Sequence, residues 1–245
     1  MKVTILGAGD AFASHGSCSA CYVIEGEGHT ILMEAGPALL PTLKRAGFAP
    51  ASFDLALISH LHGDHFAGLP FLILEYMWES ELKKTLTIAG PRRLEQRTWT
   101  LFENMFSHFP EEKVARHLKF EVLEAGVSYD FGAIKVATMR TPHTSPDVSL
   151  AFRITLGGKT IVFSGDTGWT DELVPFCDGA DLFICECTYF DSTHLDFHLN
   201  YPLIAQQRSR FNVGRMVLTH LGREVYAHQS EVKIELAFDG MQIEV

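Results

Sequence analysis

Four side chains that can bind a metal ion are concentrated in the segment SHLHGDHFAGLP, residues 59–70. They are His60, His62, Asp64 and His65, and the apolar run DLALIS before them predicts a strand that ends at His60. A helix would place His60 and His62 on different faces, so this is not a helical zinc motif of the HExxH type. A tight loop after a strand can bring all four side chains together, and imidazole with carboxylate suits Zn²⁺, Mn²⁺ or Fe²⁺.

A simpler interpretation of this segment is also open. Asp64 can serve only as the N-cap of a following helix, and the histidines can belong to a surface loop. Three further candidates argue against it, because each also lies at the end of a predicted strand. His143 ends AIKVATMRTPH, Asp166 ends KTIVFSGD and His220 ends RMVLTH. In α/β folds, functional loops follow strand ends, so the sequence predicts that all seven groups form one site.

The rest of the chain alternates between short β-rich runs and segments with helical periodicity. The predicted strands are KVTIL, SACYVIEG, HTILMEAG, DLALISH, LTIAG, KFEVLEA, AIKVATMR, VSLAFRITLG, KTIVFSG, DLFICEC, RMVLTH and ELAFDGMQIEV. The predicted helices are Pro37–Ala46, His65–Leu82, Pro91–His108, Thr170–Cys177, Tyr201–Phe211 and Ser230–Leu236. A hairpin turns at Gly157 and Gly158. With no repeat or linker, we expect a single domain over residues 1–245, built as a four-layer α/β/β/α sandwich of two mixed sheets.

Charge and cysteine content restrict the class of partner. The formal net charge is −10 with scattered acids, which disfavours a large nucleic acid but not a small anionic substrate. No apolar run reaches transmembrane length, and the N-terminus lacks the pattern of a signal peptide. The odd, sparse set of 5 cysteines does not form a disulfide framework. We therefore expect a cytoplasmic protein with no membrane partner.

The ordered motifs HLHGDH, PH at His143, SGDT at Asp166 and LTH at His220 resemble those of metallo-β-lactamase-fold hydrolases over nearly the whole chain. The resemblance implies that His60, His62 and His143 bind one metal ion. It implies a second ion on Asp64, His65 and His220, with Asp166 bridging the two. The β-lactamases of this fold carry a cysteine near the bridging position, and SGDT has none, so antibiotic hydrolysis is not expected.

Further stretches are similar to the ribonuclease Z group: GAGDAF at 7–12, ILMEAG at 31–36 and HGDHFAGLP at 62–70. His198 resembles the histidine of that group's HST motif, which implies a proton donor. Glu34 and Cys185 depart from the group, which has Asp and His there. Only 22 residues separate His143 from Asp166, and the predicted hairpin needs them all, so the arm that grips transfer RNA has no place. Transfer-RNA 3′-processing is therefore disfavoured.

The C-terminal AFDGMQI and the chain length resemble a second branch, the phosphoribosyl cyclic phosphate phosphodiesterases of phosphonate metabolism. That branch has an additional cysteine-rich zinc loop near its N-terminus. Here only Cys18 and Cys21 are present, and two thiols cannot complete a four-ligand site. Cys185 and Cys187 fall on one face of a strand, where we expect buried packing rather than metal binding.

The implied site favours phosphodiester chemistry. Two divalent ions, two aspartates and a bridging hydroxide sum to a charge of about +1, which attracts a phosphodiester monoanion. We expect a hydrolase of small cyclic or nucleotide-like phosphodiesters that uses two Zn²⁺ or Mn²⁺ ions, Fe²⁺ being less expected, and a metal-bridging hydroxide as nucleophile. Asp64 and His198 are the candidate catalytic residues, His198 protonating the leaving alkoxide. The alternatives are a thioester or lactone hydrolase, a mononuclear iron sulfur oxygenase, and a metal-binding protein without turnover.

Other features have simpler interpretations. GAGDAF lacks the third glycine of a dinucleotide-binding turn and predicts a loop beside the metal site. The apolar segment FLILEYMWE either forms a face of a homodimer or lines the substrate site. His198 can also be a helix-start residue with no task. We assign no function to the remaining histidines: His15, His29, His108, His117, His194 and His228.

Overall fold

The computed structural model describes residues 1–106, 112–144, 146–191 and 196–245. Within these ranges, fourteen strands form two seven-stranded sheets. In chain order the strands are β1 (Lys2–Gly7), β2 (Cys21–Gly26), β3 (His29–Met33), β4 (Leu55–Leu57), β5 (Leu86–Gly90), β6 (Leu118–Val122), β7 (Ser128–Phe131), β8 (Ile134–Thr141), β9 (Ser149–Leu156), β10 (Lys159–Phe163), β11 (Ala180–Glu186), β12 (Val213–Thr219), β13 (Glu235–Leu236) and β14 (Gln242–Glu244).

The α-helices lie between the strands, and most of them cover an outer sheet face. They are α1 (Leu39–Arg45), α2 (Gly63–Phe66), α3 (Leu69–Trp78), α4 (Leu94–Met105), α5 (Glu112–Ala115), α6 (Leu173–Cys177), α7 (Tyr201–Gln207) and α8 (Arg223–Ala227). Three short 3₁₀ helices span Ser14–Gly16, Pro50–Ser52 and Arg208–Arg210. Within the described ranges, no helix is both long and apolar enough to cross a bilayer.

Each sheet is built mainly from one half of the chain. The first has the strand order β14-β1-β2-β3-β4-β5-β6, and the second has the order β13-β12-β11-β10-β9-β8-β7. Both are mixed: β1, β2 and β3 pair antiparallel, whereas β3 to β6 pair parallel. The last strand, β14, returns to the first sheet and pairs with β1.

Alternating side chains in the strands create three apolar layers. In β10, Ile161 and Phe163 point between the two sheets, while Val162 packs on the outer face of the second sheet. In β2, Tyr22 lies between the sheets and Val23 lies beneath the helices of the first. A core between the sheets and one under each outer helix layer is the four-layer α/β/β/α sandwich predicted from the sequence.

The hairpin and most predicted elements are confirmed. β9 and β10 pair antiparallel from Leu156↔Lys159 to Phe152↔Phe163, and the two turn glycines both have positive φ. Five of the six predicted helices contain helical structure, although His65–Leu82 divides into α2 and α3. Tyr201–Phe211 becomes α7 followed by a 3₁₀ turn.

Two predictions of secondary structure are wrong, and three short elements have no prediction. Ser230–Leu236 is not helical: its apolar residues Val232, Ile234 and Leu236 alternate with the period of a strand, and the chain enters β13 at Glu235. ELAFDGMQIEV is not one strand but two, β13 and β14, which belong to different sheets. The edge strand β7 and the short helices α5 and α8 have no sequence prediction, since each is too short for a clear period.

Candidate metal centre

The seven predicted ligands meet at one edge of the sandwich, where strands from both sheets end. β10, β11 and β12 run parallel, and β8 points the same way because β9 is antiparallel to both β8 and β10. His143, Asp166 and His220 follow β8, β10 and β12, and His60 follows β4 of the other sheet. The carboxyl ends of these strands therefore supply the site from several directions, as the sequence predicts.

One group of four candidate ligands gathers around His60. One ligand atom from each member lies within 4.8 Å of the others. The His143 Nε2 atom is 3.1 Å from His62 Nδ1 and 3.7 Å from Asp166 Oδ2, and His60 Nε2 is also 3.7 Å from Asp166 Oδ2. His62 is exposed, so the cluster opens to solvent on that side. The members are His60, His62, His143 and Asp166.

A second group shares Asp166 with the first. His65 Nε2 is 3.2 Å from Asp64 Oδ2 and 3.3 Å from Asp166 Oδ2. His220 Nε2 lies 3.3 Å from the same two carboxylate oxygens. The second group therefore has four members: Asp64, His65, Asp166 and His220. Asp166 belongs to both groups, and its bridging of two ions stays a prediction.

The simpler interpretation of Asp64 is wrong. The N-cap of α2 is His62, and its side chain makes no capping bond. Asp64 lies within the first turn of this helix, and its carboxylate faces His65 and His220 instead of the helix terminus. The carboxylate therefore belongs to the cluster and does not serve as a helix cap.

Hydrogen bonds to Nδ1, on the side of the ring away from the cluster, orient several of the histidines. Nδ1 of His143 donates to the carbonyl oxygen of Phe197 at 2.8 Å. The Thr188 hydroxyl donates to Glu186 at 2.8 Å, so it accepts from Nδ1 of His220 at 2.9 Å. Such partners fix Nδ1 as the protonated nitrogen of the neutral ring and direct Nε2 toward the cluster, as in metal sites.

Two further residues support the rings of the metal loop. The Ser59 hydroxyl is 2.9 Å from Nδ1 of His60. Glu34 is completely buried, accepts the backbone N–H of Ser59 at 2.9 Å, and places Oε2 3.3 Å from Nδ1 of His65. Glu34 and His220 both adopt positive φ angles, 62° and 54°, which are uncommon for residues with a side chain. The fold thus holds a strained backbone beside the cluster.

The carboxylates of the cluster favour positive charge on neighbouring groups. Burial opposes ionisation of Asp166, but His220 and His65 outweigh it and hold its pKa well below the usual range. Burial also opposes a charge on His220, yet Asp166 and Asp64 raise its pKa to about 9. The same carboxylates raise the pKa of His65 against its burial, whereas burial lowers the pKa of His60 well below its usual value.

These residues fit divalent ions. Nε2 of His60 and both ring nitrogens of His65 are buried without a hydrogen-bond partner. Buried polar atoms are rarely left unpaired, and both Nε2 atoms face carboxylates of the cluster. Divalent ions there would bind the two Nε2 atoms and supply the charge that protons on His65 and His220 otherwise bring, with release of those protons.

His198 lies at the side of the cluster. Its ring centroid is 4.7 Å from that of His143 and 5.4 Å from that of His220. Nδ1 donates to Oε1 of Glu186 at 2.7 Å, which leaves Nε2 for another partner. Burial disfavours the charged ring, but Glu186 outweighs it and raises the pKa of His198. The position therefore allows proton donation, although Glu186, His198 and His220 also form a third group close enough to hold an ion.

Sequence reasoning missed Glu186 entirely. This residue is 1 % exposed and connects four groups: it accepts from the N–H groups of Thr167 and Thr188, from the Thr188 hydroxyl and from His198. It lies between two cysteines in LFICECTYF, and this pattern predicts only buried packing. An acid inside an apolar strand is the signal that identifies it, because a buried carboxylate requires partners.

The other sequence predictions divide into three groups. GAGDAF lies beside the site, as predicted, because Gly9 pairs with Leu221, the residue after His220. Cys21, Cys185 and Cys187 are buried in apolar clusters, while Cys18 is half-buried in a loop. His108 and His194 lie outside the described residues. The histidines His15, His29, His117 and His228 have partners elsewhere in the structure and belong to none of the three candidate groups.

The segment FLILEYMWE forms most of α3. Leu72, Ile73 and Tyr76 are buried in the core beneath the helices of the first sheet. Phe71 and Trp78 are exposed on the opposite side, where the ammonium group of Lys113 lies 3.4 Å from the Trp78 ring centroid. The segment therefore contributes mainly to the core and presents two aromatic rings at the surface.

Fold and cluster together define a metallo-hydrolase of the metallo-β-lactamase fold, on its ribonuclease Z-like branch. The probable metallo-hydrolase YhfI of Bacillus subtilis (strain 168) is 27 % identical over 234 residues, which cover 90 % of this chain and 87 % of the relative. Its crystal structure superimposes with a TM-score of 0.81 at 25 % identity, covering 99 % of both chains.

Two further solved structures share the architecture. Human tRNase Z, short form, has a TM-score of 0.79 and 25 % identity, with 100 % of this chain and 99 % of that chain covered. A diphosphatase from the PhnP family has a TM-score of 0.75, with 100 % of this chain and 97 % of that chain covered, and at 13 % identity it supports the fold alone.

A family model described as anti-Pycsar protein Apyc1 matches residues 1–238, so this chain belongs to that family.

Proposed function

We propose that the chain is a dinuclear metal-dependent phosphodiesterase that cleaves small cyclic or nucleotide-like phosphodiesters. The observation that carries the proposal is that Asp166 belongs to both four-residue groups of candidate ligands. A carboxylate in this position favours two ions held close together, and such pairs are suited to displacement at phosphorus. The description of the family adds opposition to Pycsar as a biological role, which we extend to this chain as part of the proposal.

The proposed ligand sets are those implied by the sequence resemblance. His60, His62 and His143 would hold one ion, and Asp64, His65 and His220 the other, with Asp166 contacting both. Two divalent ions, Zn²⁺ or Mn²⁺, would lower the pKa of water for attack on phosphorus and neutralise charge on the phosphoryl oxygens. Besides serving as a ligand, Asp64 contributes its negative charge beside His220, and is therefore proposed as a catalytic residue.

Protonation of the leaving group falls to His198 in this proposal. Glu186 fixes the Nδ1–H of His198 and favours the charged imidazolium, so Nε2 carries the proton that an alkoxide leaving group needs. Thr188 couples the same glutamate to His220 through its hydroxyl, which keeps both rings in a fixed relation. One buried carboxylate therefore positions a proposed proton donor and a proposed ligand.

Several features favour a small substrate over transfer RNA. The 22 residues between His143 and Asp166 consist largely of the β9–β10 hairpin, so this interval has no room for an extended arm. The formal net charge of −10 opposes a long polyanion. A site with a charge of about +1 within an acidic protein instead suits a single phosphodiester group.

The test is hydrolysis of bis(p-nitrophenyl) phosphate by purified protein with Zn²⁺ or Mn²⁺ added back after chelation. We expect metal-dependent turnover that falls to background in Asp166→Ala. The matched control is Asp171→Ala, which removes an exposed aspartate paired with Arg210 and should leave turnover unchanged. Two ions per chain with acyl-ester hydrolysis but no phosphodiesterase activity would favour the thioester or lactone hydrolase. One iron per chain without either activity would favour the sulfur oxygenase.

A further inference from the structure

Phe197 is a half-exposed aromatic residue in contact with two rings of the site. Its ring centroid lies 5.8 Å from that of His143 and 5.3 Å from that of His198. The residue retains 41 % of its accessible surface. The backbone carbonyl of Phe197 orients His143, whereas the side chain has no role in the proposed hydrolysis.

The segment that carries this ring is firmly held. The Phe197 carbonyl accepts the His143 bond at 2.8 Å, and the Leu199 carbonyl accepts the N–H of Tyr189 at 3.2 Å. On another side, Gly168 packs so closely that a Cβ there would overlap the carbonyl oxygen of Asp196. The exposure of the ring is therefore a property of a fixed backbone with contacts on several sides.

The exposed part of the Phe197 ring forgoes the free energy of burial that an apolar contact would provide. A ligand recovers this free energy when it covers the ring, and aromatic rings are common in the walls of ligand sites. A phosphoryl group bound between the ion cluster and His198 would have its ester substituents within reach of the Phe197 ring, because that ring contacts both His143 and His198. Among such substituents, planar bases stack on aromatic side chains with little dependence on base identity.

We propose that Phe197 is a specificity-determining residue whose ring stacks against a nucleobase carried by the phosphodiester substrate. The inference rests on the proposed function, which it narrows to phosphodiesters bearing a planar aromatic group. It separates the two roles of the residue: the carbonyl positions His143, and the side chain selects the substrate. Substitutions at Phe197 keep the carbonyl, so they isolate the ring.

The experiment compares Phe197→Leu and Phe197→Tyr with the wild-type protein, both loaded with metal. Leucine preserves apolar bulk without a π face, whereas tyrosine preserves the ring. The substrates are the four ribonucleoside 3′,5′-cyclic phosphates and methyl riboside 3′,5′-cyclic phosphate, which has a methoxy group in place of the base. Phe238→Leu is the matched control, because Phe238 is exposed and distant in sequence from the cluster.

We expect Phe197→Leu to lower kcat/KM for the nucleotides roughly 5- to 100-fold, mainly through KM. Hydrolysis of the methyl riboside phosphate should be unchanged, Phe197→Tyr should retain nucleotide activity, and Phe238→Leu should resemble the wild type. Equal losses on substrates with and without a base would overturn the inference, since they would indicate displacement of His143. So would unchanged activity of Phe197→Leu on the nucleotides.

A binding measurement keeps this inference separate from the proposed function. Calorimetry gives the affinities of nucleoside 5′-monophosphates and of ribose 5-phosphate without any turnover. We expect the nucleotides to bind more tightly, and Phe197→Leu to remove the difference. A wild-type protein that binds both equally would refute base stacking, whether or not it hydrolyses phosphodiesters. Preferential binding of nucleotides without hydrolysis would refute only the phosphodiesterase.

Discussion

Replacement of His198 by alanine tests the proposed division between metal binding and proton transfer. His198 is absent from the two four-residue groups that share Asp166, so its removal should leave both intact. What the substitution removes is a ring 4.7 Å from His143 with Nδ1 bonded to Glu186 at 2.7 Å. We therefore expect His198→Ala to retain metal while losing the ability to protonate a leaving group.

The expected magnitude depends on the leaving group. General acid catalysis contributes about 10²- to 10⁴-fold where a strongly basic alkoxide departs. A p-nitrophenolate ion needs little protonation, so its departure should slow by less than about 10-fold. Glu186 loses one of its hydrogen bonds but keeps those from Thr167 and Thr188, so the free energy of unfolding should fall by about 1–3 kcal/mol.

The assay measures kcat/KM for bis(p-nitrophenyl) phosphate and for a ribonucleoside 3′,5′-cyclic phosphate, with metal content determined on the same samples. His228→Ala is the control, because that histidine stacks on Phe190 and pairs with Glu231 away from the cluster. Equal losses on the two substrates would refute the assignment of proton donor. Loss of an ion in His198→Ala would show instead that the third group, which contains Glu186 and His220, binds metal.

Two other substitutions probe the supports of the site. Glu34→Gln replaces the carboxylate 3.3 Å from Nδ1 of His65, so metal affinity should fall roughly 10- to 100-fold in chelator competition; unchanged affinity would show that Glu34 has only a structural role. Gly168→Ala introduces a Cβ that overlaps the Asp196 carbonyl oxygen and should displace the segment carrying His198. We expect kcat/KM to fall by up to about 100-fold, whereas wild-type turnover would contradict the proposed close packing.

The grouping of the candidate ligands was predictable because each one follows a strand that is recognisable from its apolar run. His143, Asp166 and His220 come after β8, β10 and β12, and strands that run in the same direction bring their ends to a common edge. Local sequence patterns and one topological rule therefore predict most of the cluster. The division of the ligands into two groups follows from the family resemblance, and the distances between their side chains agree with that division.

The supporting residues were not predictable in the same way. Glu34 contacts His65 and Ser59, which lie far from it in sequence, and the sequence shows it only as a departure from the ribonuclease Z pattern. Glu186 and Thr188 gain their roles from partners on other strands and loops. Roles of this kind depend on tertiary packing, which a periodicity analysis does not contain.

Prediction of secondary structure failed where elements are short or where packing overrides local preference. The helix α8 has five residues with one buried member, Val225, so it leaves no periodic pattern. The segment Ser230–Leu236 ends in β13, which pairs with β12. A two-residue strand of this kind is specified by its neighbour rather than by its own sequence.

Metal stoichiometry tests the dinuclear site most directly. Plasma mass spectrometry of purified protein, loaded with Zn²⁺ or Mn²⁺ and then freed of excess ion, gives the number of ions per chain. Two groups of ligands that share Asp166 predict two ions per chain. Asp166→Ala should lose at least one of them, and Asp171→Ala should lose neither. A single ion per chain in the wild-type protein, unaffected by Asp166→Ala, would contradict the shared carboxylate and the dinuclear chemistry that depends on it.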